Sequence, residues 1–375
     1  MNRLKRLTLV LLWCSAAVEA STLYSVTDIG PTASISQVNN HGQVVGTAGA
    51  FSFIYDGTLH PIPNPPGGLF GASGINNSGQ VIGTVAYPSY QYAAGLYANG
   101  ALQVFGSGSI VSATEINDTG LIAGDYQYRA VSYSNGTFTD LGVLPGDLIA
   151  TTRGINNAGS ILILSSDGSS GHAAIYSNGL LTAVPGSEGL NVQPSGINNL
   201  GQVVGYVSTG TSTSPLEAVL LSNGQATLLG QLGTPTAGTF LSFADAINDS
   251  GVIVGIGYTP AGYRAWVYDH ETGMVDLNSL LTNGSGWSLE VARSINDAGQ
   301  IVGEGFYNGV RSGFFLTPVA IPEPPPAAAT FLGLLCLGVG LGLRLSAISL
   351  PRLETEINPL GVRPNRSDIT EATRS

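Results

Sequence analysis

The nine-residue phrase INDAGQIVG, Ile295 to Gly303, stands at one of seven places where this chain says nearly the same thing. The other copies read VNNHGQVVG from Val38, INNSGQVIG from Ile75, INDTGLIAG from Ile116, INNAGSILI from Ile155, INNLGQVVG from Ile197 and INDSGVIVG from Ile247. Their fifth-position glycines, Gly42, Gly79, Gly120, Gly159, Gly201, Gly251 and Gly299, are 37, 41, 39, 42, 50 and 48 residues apart. A repeat of this period is the scale of a four-stranded propeller blade.

Each copy reads as a hairpin. Asn-Asn or Asn-Asp supplies a side chain that starts a turn, and the glycine supplies φ > 0 at its end, so the chain reverses between two apolar strands, A and B. A third strand, C, follows every copy: AFSFIYDG, AAGLYANG, RAVSYSNG, HAAIYSNG, EAVLLSNG, RAWVYDHETG and SGFFLTP. Tyr55, Tyr97, Tyr133, Tyr176 and Tyr268 share one offset in it and read as blade packing. Strand D comes after the turn, as in TFTDLG from Thr137. The last copy lacks a strand D, whereas the segment LYSVTDIG from Leu23 looks like one. The expected fold is all-β, a seven-bladed β-propeller of four-stranded blades over residues 21–318, with the last blade closed by the N-terminal strand. An eight-bladed ring or an open solenoid is the structural alternative.

Composition agrees with many short strands: 52 Gly, 20 Pro and only 10% charged residues. Between Ser21 and Pro318 there are 18 acidic residues against five Arg and no Lys, a net charge of −13. Such a surface repels phosphate backbones, so no nucleic acid is expected as a partner. Cys14 and Cys336 both lie in apolar terminal segments and the region between them has no cysteine, which excludes a disulfide framework.

The two ends supply an address. Residues 1–20 have Arg3, Lys5 and Arg6, an apolar run from Leu7 to Trp13, and small residues before Ser21, the layout of a secretory signal peptide. At the other end, Pro322, Glu323 and Pro324 lie in a Pro-rich linker (319–326), before an uncharged stretch from Ala327 to Leu343 and then Arg344. That length suits one C-terminal transmembrane helix, placed at 327–350. This end resembles the PEP-CTERM sorting signal of Gram-negative bacteria. The resemblance implies processing by an exosortase, with the protein held first in the inner membrane and then released to the cell surface or matrix. Arg344 and Arg352 make a sparse basic cluster, and a polar tail (351–375), expected to be disordered, continues to Ser375; a plain single-span anchor is the alternative.

The alternation of I-N-x-x-G-x-[IV]-x-G with His172-Ala173-Ala174 or Arg264-Ala265-Trp266 and a DLG-like strand is similar to the HAF repeat family of extracellular proteins. The similarity covers nearly all of Thr22 to Thr317 and implies an exported repeat protein without an established activity.

Motifs for chemistry are sparse. There is no G-x-S-x-G elbow, and His41, His60, His172 and His270 show no metal-ligand spacing. No cofactor, metal or catalytic residue is expected. Asp118, Asp249 and Asp297 replace Asn at the second motif position, an interchange that suits turn capping better than catalysis. The five arginines, Arg129, Arg153, Arg264, Arg293 and Arg311, are read as occupying unlike positions. Nine tyrosines, Tyr87, Tyr90, Tyr92, Tyr126, Tyr128, Tyr206, Tyr258, Tyr263 and Tyr307, fall between strands B and C, on the face that also carries the long D-to-A connections. Rings bearing a hydroxyl suit sugars or protein partners. These tyrosines are the expected ligand-binding residues, and a non-enzymatic module for exopolysaccharide or an envelope partner is the leading reading. A polysaccharide hydrolase or lyase using Asp125, Asp147 or Glu304 and a protein-binding scaffold are the alternatives.

Overall fold

The computed structural model describes residues 22–31, 33–106, 112–208, 216–232 and 241–319. The segments expected to be a signal peptide, a transmembrane helix and a polar tail, and Pro322, Glu323, Pro324 and Arg344, lie outside the described residues. Among the described residues, none forms an α-helix and no helix is long and apolar enough to cross a membrane.

The repeats fold as seven four-stranded antiparallel sheets. Six of them take their strands in chain order, A-B-C-D, in blades at 33–62, 69–105, 112–140, 149–183, 192–228 and 242–276. The seventh consists of Trp287–Ile295, Ile301–Tyr307, Val310–Val319 and, from the other end of the chain, Leu23–Pro31. That last pair is antiparallel from Leu23 opposite Val319 to Pro31 opposite Ser312. Strands A line the centre and strands D form the rim, where Thr137–Asp140 and Gln225–Leu228 are exposed along their whole length.

The core is divided into seven apolar clusters, and each spans one boundary between neighbouring blades. Ile82 and Ala94 of blade 2, for instance, pack on Ala113, Ile116 and Ile122 of blade 3. No blade therefore owns its core, which is why repetition is needed for stability. Tyr97, Tyr133, Tyr176 and Tyr268 are partly buried against these clusters and Tyr55 is buried within one.

The motif asparagine does more than turn the chain. Its Oδ1 accepts the backbone N–H four residues on, at 2.9–3.0 Å in all seven copies. Its Nδ2 donates to the backbone carbonyl of the same asparagine in the next blade, at 2.8–3.1 Å, from Asn39 to Asn76 and onward until Asn296 returns to Asn39. The second motif residue builds a parallel belt. Its backbone N–H donates to the side-chain Oδ1 of its counterpart in the next blade, at 2.7–3.0 Å, again through all seven steps. Two closed belts of hydrogen bonds thus tie the ring at one mouth of the channel.

The last motif glycine has a different reason. A Cβ at Gly46, Gly83, Gly205, Gly255 or Gly303 would lie 1.9–2.2 Å from a strand A carbonyl oxygen, so no side chain fits there. Strand A is bulged opposite this region in every blade, skipping Ser36, Ser73, Thr114, Arg153, Ser195, Asp245 and Arg293 in the pairing. A bulge swings consecutive side chains towards one face.

Candidate functional site

The face opposite the asparagine belts is made by the B-to-C turns and the D-to-A connections, and its surface is uneven in composition. Tyr90 is 91% exposed and Tyr128 72%, the highest values among the large apolar and aromatic side chains of this face. They sit on the adjacent blades 2 and 3, each within a Tyr-Gln-Tyr triplet: Tyr90-Gln91-Tyr92 and Tyr126-Gln127-Tyr128. Both are held in the left-handed region, Tyr90 at φ 57° and Tyr128 at φ 65°, with Gln127 beside it at φ 46°.

The turn in blade 3 shows what is unusual. Tyr126 pairs with Arg129, so Gln127 and Tyr128 form a two-residue hairpin turn with φ > 0 at both positions. Blade 7 makes the same kind of turn between Tyr307 and Val310 with Asn308 and Gly309, at φ 49° and 81°. Asn-Gly is the sequence this turn prefers, and a bulky L-residue there costs roughly 1–2 kcal/mol. Blade 3 forgoes the favourable pair and presents a ring to solvent. Tyr92 is 42% exposed, and Leu69 and Leu148, 54% and 71% exposed, lie at the same end of blades 2 and 4.

The remaining tyrosines divide into two kinds. Tyr87 and Tyr126 are partly buried against the blade cores. Tyr206 meets the Phe243 ring edge-on at 4.7 Å, Tyr258 meets Tyr263 at 5.4 Å, and Tyr307 stacks on Trp287 at 5.0 Å. Of this group Tyr263 and Tyr307, on blades 6 and 7, present part of their rings to solvent. The nine tyrosines are therefore not one surface; Tyr90 and Tyr128 are the most exposed, with Tyr92 beside them on blade 2 and Tyr263 apart on blade 6.

The candidate carboxylates are engaged elsewhere. Asp125 accepts the backbone N–H of Thr152 at 2.7 Å and its hydroxyl at 3.1 Å, joining blade 3 to blade 4. Burial raises its pKa, and those two bonds and the Arg153 charge oppose the rise. Glu304, one residue past the motif in blade 7 as Asp125 is in blade 3, accepts from Ser34 Oγ at 3.0 Å and from the Ile35 N–H at 3.3 Å in blade 1, and also pairs with Arg311. Asp147 is buried against the Nδ1 of His172 at 3.0 Å. Asp125 stands on blade 3, Glu304 on blade 7 and Asp147 in the connection between blades 3 and 4, and each ties one segment to another. Among the described residues no group of three His, Cys, Asp or Glu could hold a metal ion.

The channel corrects one reading of the sequence. Arg153 and Arg293 do not occupy unlike positions: both stand three residues before the motif asparagine, at the bulge of strand A, where Asp245 is also found. Their side chains line an inner chamber together with Glu115 and Gln37. Arg293 Nη1 lies 3.4 Å from Asp245 Oδ2, and Gln37 Nε2 donates to Glu115 Oε2 at 3.0 Å. Burial pushes the Glu115 carboxyl up to about 7 against the opposing Gln37 bond. Asp245 is pushed up to about 6, also by burial, with Arg293 opposing. Aligning the seven copies would have revealed these positions, since the other four carry Ser36, Ser73, Thr114 and Ser195.

No protein-family model matches the chain, and no curated protein does. Solved structures do. YCF48 bound to D1 peptide is 11% identical over 80% of this chain and 97% of that one, with a TM-score of 0.51. The chain is a seven-bladed β-propeller. A putative TolB from Agrobacterium tumefaciens matches the propeller at 11% identity over 80% of this chain and 100% of that one, TM-score 0.40. YCF48 from Cyanidioschyzon merolae matches it at 10% over 78% and 98%, TM-score 0.42. At these identities the likeness is one of fold.

Proposed function

We propose that this propeller is a non-enzymatic binding module, exported and held at the cell surface or in the matrix, whose loop-rich face grips exopolysaccharide. The observation that carries this reading is the pair of Tyr-Gln-Tyr triplets on adjacent blades, with Tyr90 and Tyr128 exposed in strained backbone. Strain that a protein keeps at a solvent-facing position points to use of the side chain it presents. A ring that stacks on a sugar face beside amides that bond its hydroxyls is a saccharide-binding combination, and two such units on neighbouring blades suit a polymer.

The address comes from the signal peptide and the resemblance to an exosortase sorting signal. A polypeptide partner is the second reading. Leu69 and Leu148 on the same face favour it, because exposed aliphatic side chains add more to a protein interface than to a sugar platform. YCF48, of the same fold, is described bound to a peptide.

The test uses the full chain purified in detergent, titrated with the producer's own exopolysaccharide while heat and new reducing ends are followed together. Saturable heat without cleavage is expected. Replacing Tyr90, Tyr92 and Tyr128 with Ala should weaken it about tenfold or more, at roughly 0.5–1.5 kcal/mol per lost ring contact, without lowering the melting temperature. Undiminished binding by that variant overturns the assignment, new reducing ends would make the protein an enzyme, and no heat would leave the polypeptide reading.

A further inference from the structure

The charged chamber in the channel takes no part in the tyrosine face or in the asparagine belts. Ser36, Ser73 and Ser195, at the bulge of strand A, turn their hydroxyls onto a carbonyl of the next blade, at 2.9, 2.7 and 2.5 Å. At the same position Arg153, Asp245 and Arg293 place charge in a space of about 150 Å³. Asp245 and Arg293 neutralise one another across blades 6 and 7. Gln37 crosses from blade 1 past Gly74 of blade 2, where a Cβ would come within 3.2 Å of its Oε1, to hold Glu115 of blade 3. Arg153 is an exposed residue and forms no ion pair among the described residues; its Nη1 donates to the Thr152 carbonyl at 3.4 Å.

We propose that this chamber is a binding site for a small hydroxycarboxylate, a sugar acid of the uronate class, with its carboxylate on the Arg153 guanidinium. A planar guanidinium fork matches a carboxylate. Ser294, whose Oγ accepts the Val38 N–H and keeps its own proton to donate, lines the same space and offers a partner for a hydroxyl. One unpaired cation favours a monoanion, whereas a dianion such as sulfate would leave the chamber negative.

Binding is linked to pH through Glu115. The charged groups that share the channel with it are Arg153, Arg293 and Asp245 in the chamber and Asp118, Asp249 and Asp297 at the belt mouth, with Asp125 behind Arg153. With Glu115 ionised, the four chamber charges cancel; with it protonated, the Arg153 charge, partly offset by Asp125 behind it, is left for the ligand to balance. Because the Glu115 carboxyl titrates near 7, affinity rises as pH falls through that value.

The experiment is calorimetric titration of the full chain in detergent with glucuronate, glucose and sulfate at pH 6 and pH 8. One equivalent of glucuronate should bind, about tenfold more tightly at pH 6, the size expected of one charge, with glucose and sulfate silent. Arg153→Gln should lose about tenfold in affinity at an unchanged melting temperature. Glu115→Gln should lose most of the pH dependence, keeping only the smaller part that Asp245 contributes, and Tyr128→Ala should bind as the parent does, which separates this site from the tyrosine face. Absent heat with glucuronate at pH 6, equal binding by Arg153→Gln, or equal response to sulfate would each overturn the proposal.

Discussion

At the scale of single residues, the two positions of the motif that look interchangeable in writing are chemically unlike. The first asparagine is buried in every copy and uses both ends of its amide, accepting within its own turn and donating to the next blade. Only an amide does both. The second residue offers an acceptor at the surface, which Asp supplies as well as Asn. Asn156→Asp should therefore cost about 2–4 kcal/mol, because a buried donor is lost and a carboxylate is placed against a carbonyl, while Asp249→Asn should cost less than about 1 kcal/mol. Chemical denaturation of the two variants checks this; equal losses would mean that the belts contribute nothing. The turn role of the motif was legible, since Asn and Gly at fixed offsets encode a reversal in the chain itself. The donation from Asn156 to Asn198 was not, because nothing local in the sequence says which carbonyl, 42 residues on, will stand opposite.

At the scale of elements, the readable features were those that depend on local pattern, and the hidden ones came from departures from it. Strand boundaries and the five packed tyrosines of strand C follow from apolar runs and turn residues. The charges of strand A did not, because alternation assigns neighbours to opposite faces, whereas the bulge lets both Asp245 and Ala246, or Arg293 and Ser294, line the channel. Gln127-Tyr128 was hidden for a related reason: it lacks the Asn-Gly that marks such a turn. The substitution of Gln127→Asn with Tyr128→Gly gives blade 3 the turn that blade 7 has. It should stabilise the protein by about 1 kcal/mol, the strain relieved less the backbone entropy that glycine adds, and at the same time weaken polysaccharide binding. A melting temperature that falls would show the native turn to be unstrained. A rise with full binding would show that the strain has no bearing on the ligand.

At the scale of the whole molecule, the ring converts an acidic sequence into an unusual pH profile. Glu115, Asp125 and Asp245 all have their carboxyls raised, chiefly by burial, in or beside the channel. A carboxyl with a higher pKa folded than unfolded binds more protons in the native state between the two values, so stability falls as pH rises across that window. For Glu115 the window runs from the ordinary 4.5 to about 7, and for Asp245 from 3.8 to about 6. Asp167, fully exposed and lowered to about 2 by hydrogen bonds from Ser169 and Ser170, acts in the opposite sense, but only below pH 4. The propeller should accordingly melt at a higher temperature at pH 5 than at pH 8. Glu115→Gln should raise the pH 8 value towards the pH 5 one, since it removes a buried ionisation worth at most about 3 kcal/mol. Thermal melts of parent and variant at pH 5, 6, 7 and 8 measure the slope directly. A profile that climbs with pH would mean that water in the channel solvates these carboxylates fully, and would remove the physical basis for a ring that holds protons in its centre.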